Sequence, residues 1–159
     1  MENPPEKTPA AWEGTPSWLL TQTAHHAHRL VADGFSSVRA RGYHYRLLAT
    51  LEESGPASQA ELGRRSGIHV SDMVATVNEL SDRRLVERAL DPSDRRRNIV
   101  SLTAAGRRQL RVLEERLART QEELLAPLAP EERQVLTGLL ARLLEHHDRR
   151  SGASGEARS

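Results

Sequence analysis

The chain has no cysteine, which excludes disulfides, cysteine-ligated zinc and sensing of oxidants through a thiol. Aromatics are scarce, at two Trp, two Tyr and one Phe, and Leu and Ala dominate an apolar set beside 28% charged residues, a balance that fits amphipathic helices. No uninterrupted apolar run approaches the ~20 residues needed to cross a bilayer. The N-terminus has no basic region followed by an apolar stretch, so the expectation is a cytoplasmic protein with no membrane partner. Phosphate-binding glycine loops, nucleophile motifs and paired-carboxylate sites are missing too, which argues against an enzyme and leaves no cofactor expected. Excess charge is the last absence. A net charge of +1 by itself argues against a nucleic-acid partner, because a DNA-binding surface needs cations to displace condensed counterions.

The distribution of charge reverses that inference. Arginines concentrate at Arg83, Arg84, Arg88, Arg95, Arg96 and Arg97, while acids gather later, at Glu114, Glu115, Glu122, Glu123, Glu131 and Glu132. A basic centre with a more acidic flank suits a nucleic-acid reader joined to an assembly module. At 159 residues the chain is one domain by size.

Residues 1–16 are rich in Pro and polar side chains and read as a loose arm, with Trp12 as its one anchor. Ser17 is placed to cap a first helix carrying Leu20, Ala24, Ala27, Val31, Phe35 and Val38 towards Gly42. A second helix begins near Tyr43 and stops at Ser54-Gly55-Pro56. Ser58-Gln59-Ala60-Glu61 is a capping box that opens a short third helix, Gln59 to Ser66. Gly67 permits a turn, and Ser71 can cap a fourth helix with Met73, Val77 and Leu80 facing inward. Two short helices joined by a glycine turn make a helix-turn-helix. The outward face of the fourth helix carries Ser71, Asp72, Ala75, Asn78 and Glu79, and small or hydrogen-bonding side chains there let the backbone approach base edges. With the adjoining His69, Val70 and Val74, the face from His69 to Asn78 is the expected base-reading surface.

Leu85 to Leu90 and Asn98 to Thr103 read as two strands joined by Asp91-Pro92-Ser93-Asp94, with proline suited to the second position of a type I turn. Arg95, Arg96 and Arg97 load the tip. Such a ribbon suits the narrow, negative minor groove of A·T-rich DNA. Thr103 can cap a fifth helix with Leu110, Leu113, Leu117 and Leu124 on one side. Pro127 and Pro130 end it, and Pro130 opens a sixth helix with an apolar stripe of Val135, Leu136, Leu139, Leu140, Leu143 and Leu144. That stripe is wider than one neighbour needs, so helices one, five and six suit an interdigitating homodimer, intramolecular packing being the alternative. The expected fold is therefore mainly α: a winged helix-turn-helix with a two-stranded wing and a helical dimerisation module. Its divisions are an arm at 1–16, the first dimerisation helix at 17–42, the winged domain at 43–103, the C-terminal dimerisation helices at 104–148 and a flexible tail at 149–159.

From Gly42 to Leu113 the sequence resembles the MarR family of winged-helix regulators, most specifically over LVERALDPSDRRRNIVSLTAAG, where the turn, the Asp-Arg-Arg tip, the Leu-Thr exit and the glycine three residues later stand at family spacing. The resemblance implies a homodimeric transcription factor whose fourth helices enter successive major grooves of a near-palindromic site while the wings reach the flanking minor grooves. It matches Arg96 to the family's minor-groove arginine and Asp94 to the acid that orients it. Two positions depart from the pattern. Arg84 stands where the family commonly has glycine, so a left-handed helix end there is strained or the turn differs. Glu79 stands where the recognition helix often carries arginine, which weakens the case for a phosphate contact at that position.

Family members commonly bind small aromatic acids or phenols, and Trp18, His25, His26, His28, Arg29, His44, Tyr45 and Arg46 are a set able to stack on a ring and pair with a carboxylate. The leading expectation is a repressor of double-stranded DNA released by such a ligand. A metal-responsive regulator using His25, His28 and His44 is the rival within the fold, although no nearby acid on the first helix completes a ligand set and no metal site is assigned. A winged-helix protein-interaction module that does not read DNA is the rival outside it.

Overall fold

The structure, a computed structural model, describes residues 10–94 and 98–156. Its elements in chain order are α1 (Pro16–Ser36), α2 (Gly42–Ser54), β1 (Ala57–Ser58), α3 (Gln59–Ser66), α4 (Val70–Asp82), β2 (Val86–Leu90), β3 (Asn98–Leu102), α5 (Ala104–Leu124) and α6 (Pro130–Glu156), with a 3-10 turn at Ala11–Gly14 ahead of α1. The chain divides into two compact units, Met1–Thr120 and Gln121–Ser159.

The core of the first unit is aliphatic. Leu47, Leu48 and Leu51 of α2 meet Leu62 of α3, Met73, Val77 and Leu80 of α4, Val86 and Val100 of the strands, and Leu110 and Leu113 of α5. α2, α4 and α5 contribute residues three or four apart, the spacing that puts side chains on one face, and each fully buried Leu stabilises the fold by roughly 1.5–3 kcal/mol. Phe35, stacked on Tyr45 at 5.7 Å, brings in the end of α1.

The two-stranded wing, β2 and β3, is joined by a third strand. β1 pairs antiparallel with β3 through Ala57 and Ser58, giving the order β1-β3-β2. Two residues are too few to leave an alternation in the sequence, so β1 is defined by its partner and not by its own pattern. β2 and β3 pair from Val86↔Leu102 to Leu90↔Asn98. In β2 only Val86 is buried, so the ribbon leaves the core at its first residue and projects.

Helix boundaries at α1 and α6 depart from expectation. α1 starts at Pro16 after Thr15, not after Ser17, because proline at the first helical position needs no amide partner. It ends at Ser36, and Val38 lies beyond it. α6 runs to Glu156, past Arg149 where a polar tail is expected; no proline interrupts it, and extending a formed helix fixes few further dihedrals per hydrogen bond.

Within the second unit, the Ala129 N–H donates to Glu132 Oε2 at 2.8 Å at the start of α6, and Arg133 pairs with Glu122 at 2.6 Å. Val135, Leu139, Leu140, Leu143 and Leu144 are exposed along α6. Among the described residues no helix is long and apolar enough to cross a membrane.

Candidate nucleic-acid interface

α3 opens on Ser58, whose Oγ accepts the Glu61 N–H at 3.3 Å, and Glu61 is held in turn by Arg64 and by Arg65 at 2.7 Å. Those two guanidiniums hold its carboxyl below the usual carboxylate range. Gly67 takes φ +63°, the left-handed conformation in which a side chain is strained, and so delivers the chain to α4. The cap of α4 is His69 and not Ser71: Ser71 lies inside the first turn, with its Oγ 3.0 Å from His69 Nδ1.

The expected reading face is largely displayed. Val70, Ser71, Val74, Ala75 and Asn78 are exposed and Asp72 is half-buried, its carbonyl accepting from Thr76 Oγ1 at 2.7 Å. Asn78 does not stand alone. Arg88 of β2 donates to its Oδ1, which leaves the Asn78 amide group as a donor and couples the wing to the helix. At the turn, Asp91 Oδ1 accepts from Ser93 N at 2.8 Å and Ser93 Oγ at 2.6 Å, a side-chain-closed turn. Asp94 is the last described residue before the tip; Arg95, Arg96 and Arg97, and with them the Asp94–Arg96 pairing, lie outside the described residues.

Glu79 points the other way. Its carboxylate accepts from Arg41 at the start of α2 and from His44 Nε2 at 2.8 Å. The Arg41 N–H donates to His44 Nδ1 at 3.2 Å, so the imidazole is neutral, with its proton on Nε2. Burial pushes His44 below its ordinary value, and the hydrogen bond to Glu79 opposes that only in part. The hydrogen bond from His44, and then Arg41, lowers the Glu79 carboxyl. The acid that departs from the family pattern is therefore the latch between the reading helix and α2, a role that residues 35 and 38 positions apart do not reveal in sequence.

The end of α4 resolves the second departure. Arg84 adopts φ +57°, its N–H donates to Ser81 O at 2.9 Å and the Leu85 N–H donates to Leu80 O at 2.9 Å. This is a Schellman cap with arginine at the glycine position, closed by the buried pair Leu80 and Leu85. α1 ends the same way, with Arg39 at φ +55° and the Ala40 N–H on Phe35 O, and Arg83 Nη1 donates to Arg39 O at 2.8 Å to tie the two caps together. Left-handed strain costs a side chain roughly 1–2 kcal/mol, against about 0.5–1 kcal/mol of added backbone entropy for glycine. Arg84→Gly is accordingly expected to raise the denaturant midpoint slightly, by the equivalent of about 0.5–1 kcal/mol in urea unfolding.

Most of the residues expected to bind a ligand have partners of their own within the described chain. Trp18 packs edge-on against Trp12 at 5.7 Å, Arg29 meets His26 Nδ1 at 2.8 Å, and Arg46 donates to Ser66 O. His44 and Tyr45 are committed to Glu79 and to Phe35. His25 and His28 stay on α1, and His28 alone of the set lines a hollow of about 430 Å³ with Ala24, Ala27, Val31, Ala32 and Gly42. Individually polar or aromatic residues look like a binding set in sequence, but capping, stacking and latching account for most of them. Among the described residues no three His, Asp or Glu side chains group to hold a metal ion.

The MarR family model matches residues 39–97, from the Arg39 cap to the wing tip. A chain from Pseudomonas aeruginosa, described in its crystal structure as a "probable transcriptional regulator", is 34% identical with a TM-score of 0.73, the match covering 82% of this chain and 98% of that one. The PcaV transcriptional regulator of Streptomyces coelicolor, solved in complex with its natural ligand, is 28% identical with a TM-score of 0.71 over 87% of this chain and 98% of its own. The transcriptional repressor NicR of Pseudomonas putida is 41% identical over 59 residues, 37% of each chain. The chain spans 60% and 59% of the length of two further curated relatives, both bacterial transcriptional regulators by description. The matched segment carries the helix-turn-helix, the latch and the first strand of the wing, and the chain belongs to the MarR family of transcriptional regulators, which are not enzymes.

Proposed function

We propose that the protein is a ligand-responsive repressor that binds a near-palindromic operator in double-stranded DNA as a homodimer. The observation that carries this reading is the exposed face of α4 from Val70 to Asn78, coupled through Arg88 to a wing that leaves the core at Val86. A helix presented in this way fits the major groove, where its N-terminal residues meet base edges. The arginine run Arg95 to Arg97 at the tip supplies the cations for the flanking minor groove.

The apolar residues exposed on α6 support a second copy as partner, since five large aliphatic side chains left in water along one helix are a surface that association would bury. Two reading heads must then match half-sites roughly 34 Å apart, and a ligand that favours another separation lowers DNA affinity by linkage. The α1 hollow, apolar with His28 at its edge, is the place where an aromatic carboxylate would fit, and the ligand complex of PcaV supports this type of control.

Gel-shift titration tests the reading. The dimer is expected to retain a duplex carrying an inverted repeat selected from a random pool, to ignore its scrambled version, and to release it when one of a panel of aromatic carboxylates is added. Equal retention of repeat and scrambled duplex would remove the operator reading, and operator binding indifferent to every compound would remove the ligand.

A further inference from the structure

The reading face of α4 is unusual in what it exposes. Val70 is 72% and Val74 47% exposed, one helical turn apart, at the N-terminal end of the helix. Neither has a core partner to explain it, since the inward face is already filled by Met73, Val77 and Leu80. Both line a hollow of about 550 Å³ between α3 and α4, whose floor includes Ile68 and Met73. Arg64, ion-paired with Glu61, and His69 stand on the rim, and no side chain of the cap residue holds the N–H groups of the first turn of α4. An apolar patch inside a rim of cation and N–H donors is poorly matched to a second aliphatic surface. It is well matched to a polyanion that carries methyl groups.

In the major groove the only apolar group on any base edge is the C5-methyl of thymine. We infer that Val70 and Val74 determine operator specificity by packing their methyl groups against thymine C5-methyls, so that each half-site places thymine under the first two turns of α4. The small Ala75 beside Val74 lets the backbone come close enough for that contact, while Asn78, its Oδ1 held by Arg88, supplies N–H donors further along. The helix thus reads methyls at its start and hydrogen-bond acceptors towards its end. This inference rests on the proposal that α4 binds DNA.

The test uses the full-length protein and a duplex that it selects from a random pool. Replacing every thymine of both half-sites by deoxyuridine removes the methyls and leaves all hydrogen-bonding groups in place. Burying one carbon is worth about a fourfold change in affinity, so the uracil duplex is expected to bind at least tenfold more weakly when two or more methyls are read. In the Val70→Ala/Val74→Ala protein the thymine and uracil duplexes are expected to bind alike, with the salt dependence of binding unchanged, because no phosphate contact is altered. Both side chains are exposed, so the double variant keeps the fold, checked by its circular dichroism. Equal binding of both duplexes by the natural protein overturns the inference, as does discrimination that survives in the variant. A changed oligomeric state of the variant in sedimentation also overturns it, by assigning the valines to a protein interface. Failure to retain any duplex removes the DNA reading itself, and the inference with it, whereas specific binding blind to the methyls removes the inference alone.

Discussion

Gly106→Ala is expected to destabilise the protein by about 3 kcal/mol, seen as a lower urea midpoint with the slope of the transition unchanged. A Cβ at this position would lie 2.0 Å from Leu85 O and 2.6 Å from Leu102 Cδ1. The leucine side chain can swing aside, but the carbonyl cannot, because it accepts the Thr103 N–H at 3.2 Å and Thr103 Oγ1 at 3.0 Å. The same hydroxyl accepts the Gly106 N–H at 2.9 Å and so caps α5. Thr103 and Gly106 therefore lock the first turn of α5 against the base of the wing, and the Leu-Thr exit followed by glycine three residues later is a packing requirement before it is a family signature. A loss below 0.5 kcal/mol would mean that the wing and α5 are not in contact as described.

Glu79→Ala is expected to cost about 1–3 kcal/mol, because it strands the Nε2–H of an imidazole that is only 5% exposed and releases Arg41. The same latch gives stability a pH dependence of definite sign. His44 is lowered from its ordinary 6.5, so below that value the unfolded chain takes up the proton first. Its contribution is whole above pH 6.5 and is lost as the pH falls towards the folded value. Glu79 is lowered from 4.5, and its contribution is lost as the pH falls through and below that value. The denaturation midpoint is expected to be level from pH 8 to pH 7 and to decline below about 6.5. His44→Gln removes the first part of the decline and leaves the part below pH 4.5. Because the latch sets the angle of α4 against α2, Glu79→Ala also weakens operator binding. A midpoint independent of pH between 7 and 5 in the natural protein would contradict a neutral, buried His44.

Periodicity and punctuation made much of this legible in the sequence. Gly55-Pro56 ends α2, Ser58 opens α3, Gly67 makes the turn, Thr103 caps α5 and Pro130 opens α6, since each acts through its own backbone and its near neighbours. What stayed hidden depends on partners distant in the chain. β1 exists because β3 lies beside it, His69 displaces Ser71 as the cap because the turn from Gly67 fixes where α4 begins, and Glu79 acquires its role from Arg41 and His44. The partners of the expected ligand residues were hidden for the same reason: Trp18, Arg29, Arg46 and Tyr45 each have a structural partner that composition cannot display. Arg84 was legible in part, since the strain follows from residue type but its acceptance in a Schellman cap follows from the Leu80 and Leu85 contact.

With a net charge of only +1, the protein owes its DNA binding to where its arginines stand. Operator affinity measured against salt concentration tests that most directly. If the two wings and the helix N-termini of a dimer make 6–10 phosphate contacts, affinity falls about a thousandfold or more between 50 and 200 mM salt, and Arg96→Ala in a folded dimer makes the logarithmic slope shallower by about one per subunit. An affinity that does not change over that range, or an Arg96→Ala protein with the natural slope, would contradict it.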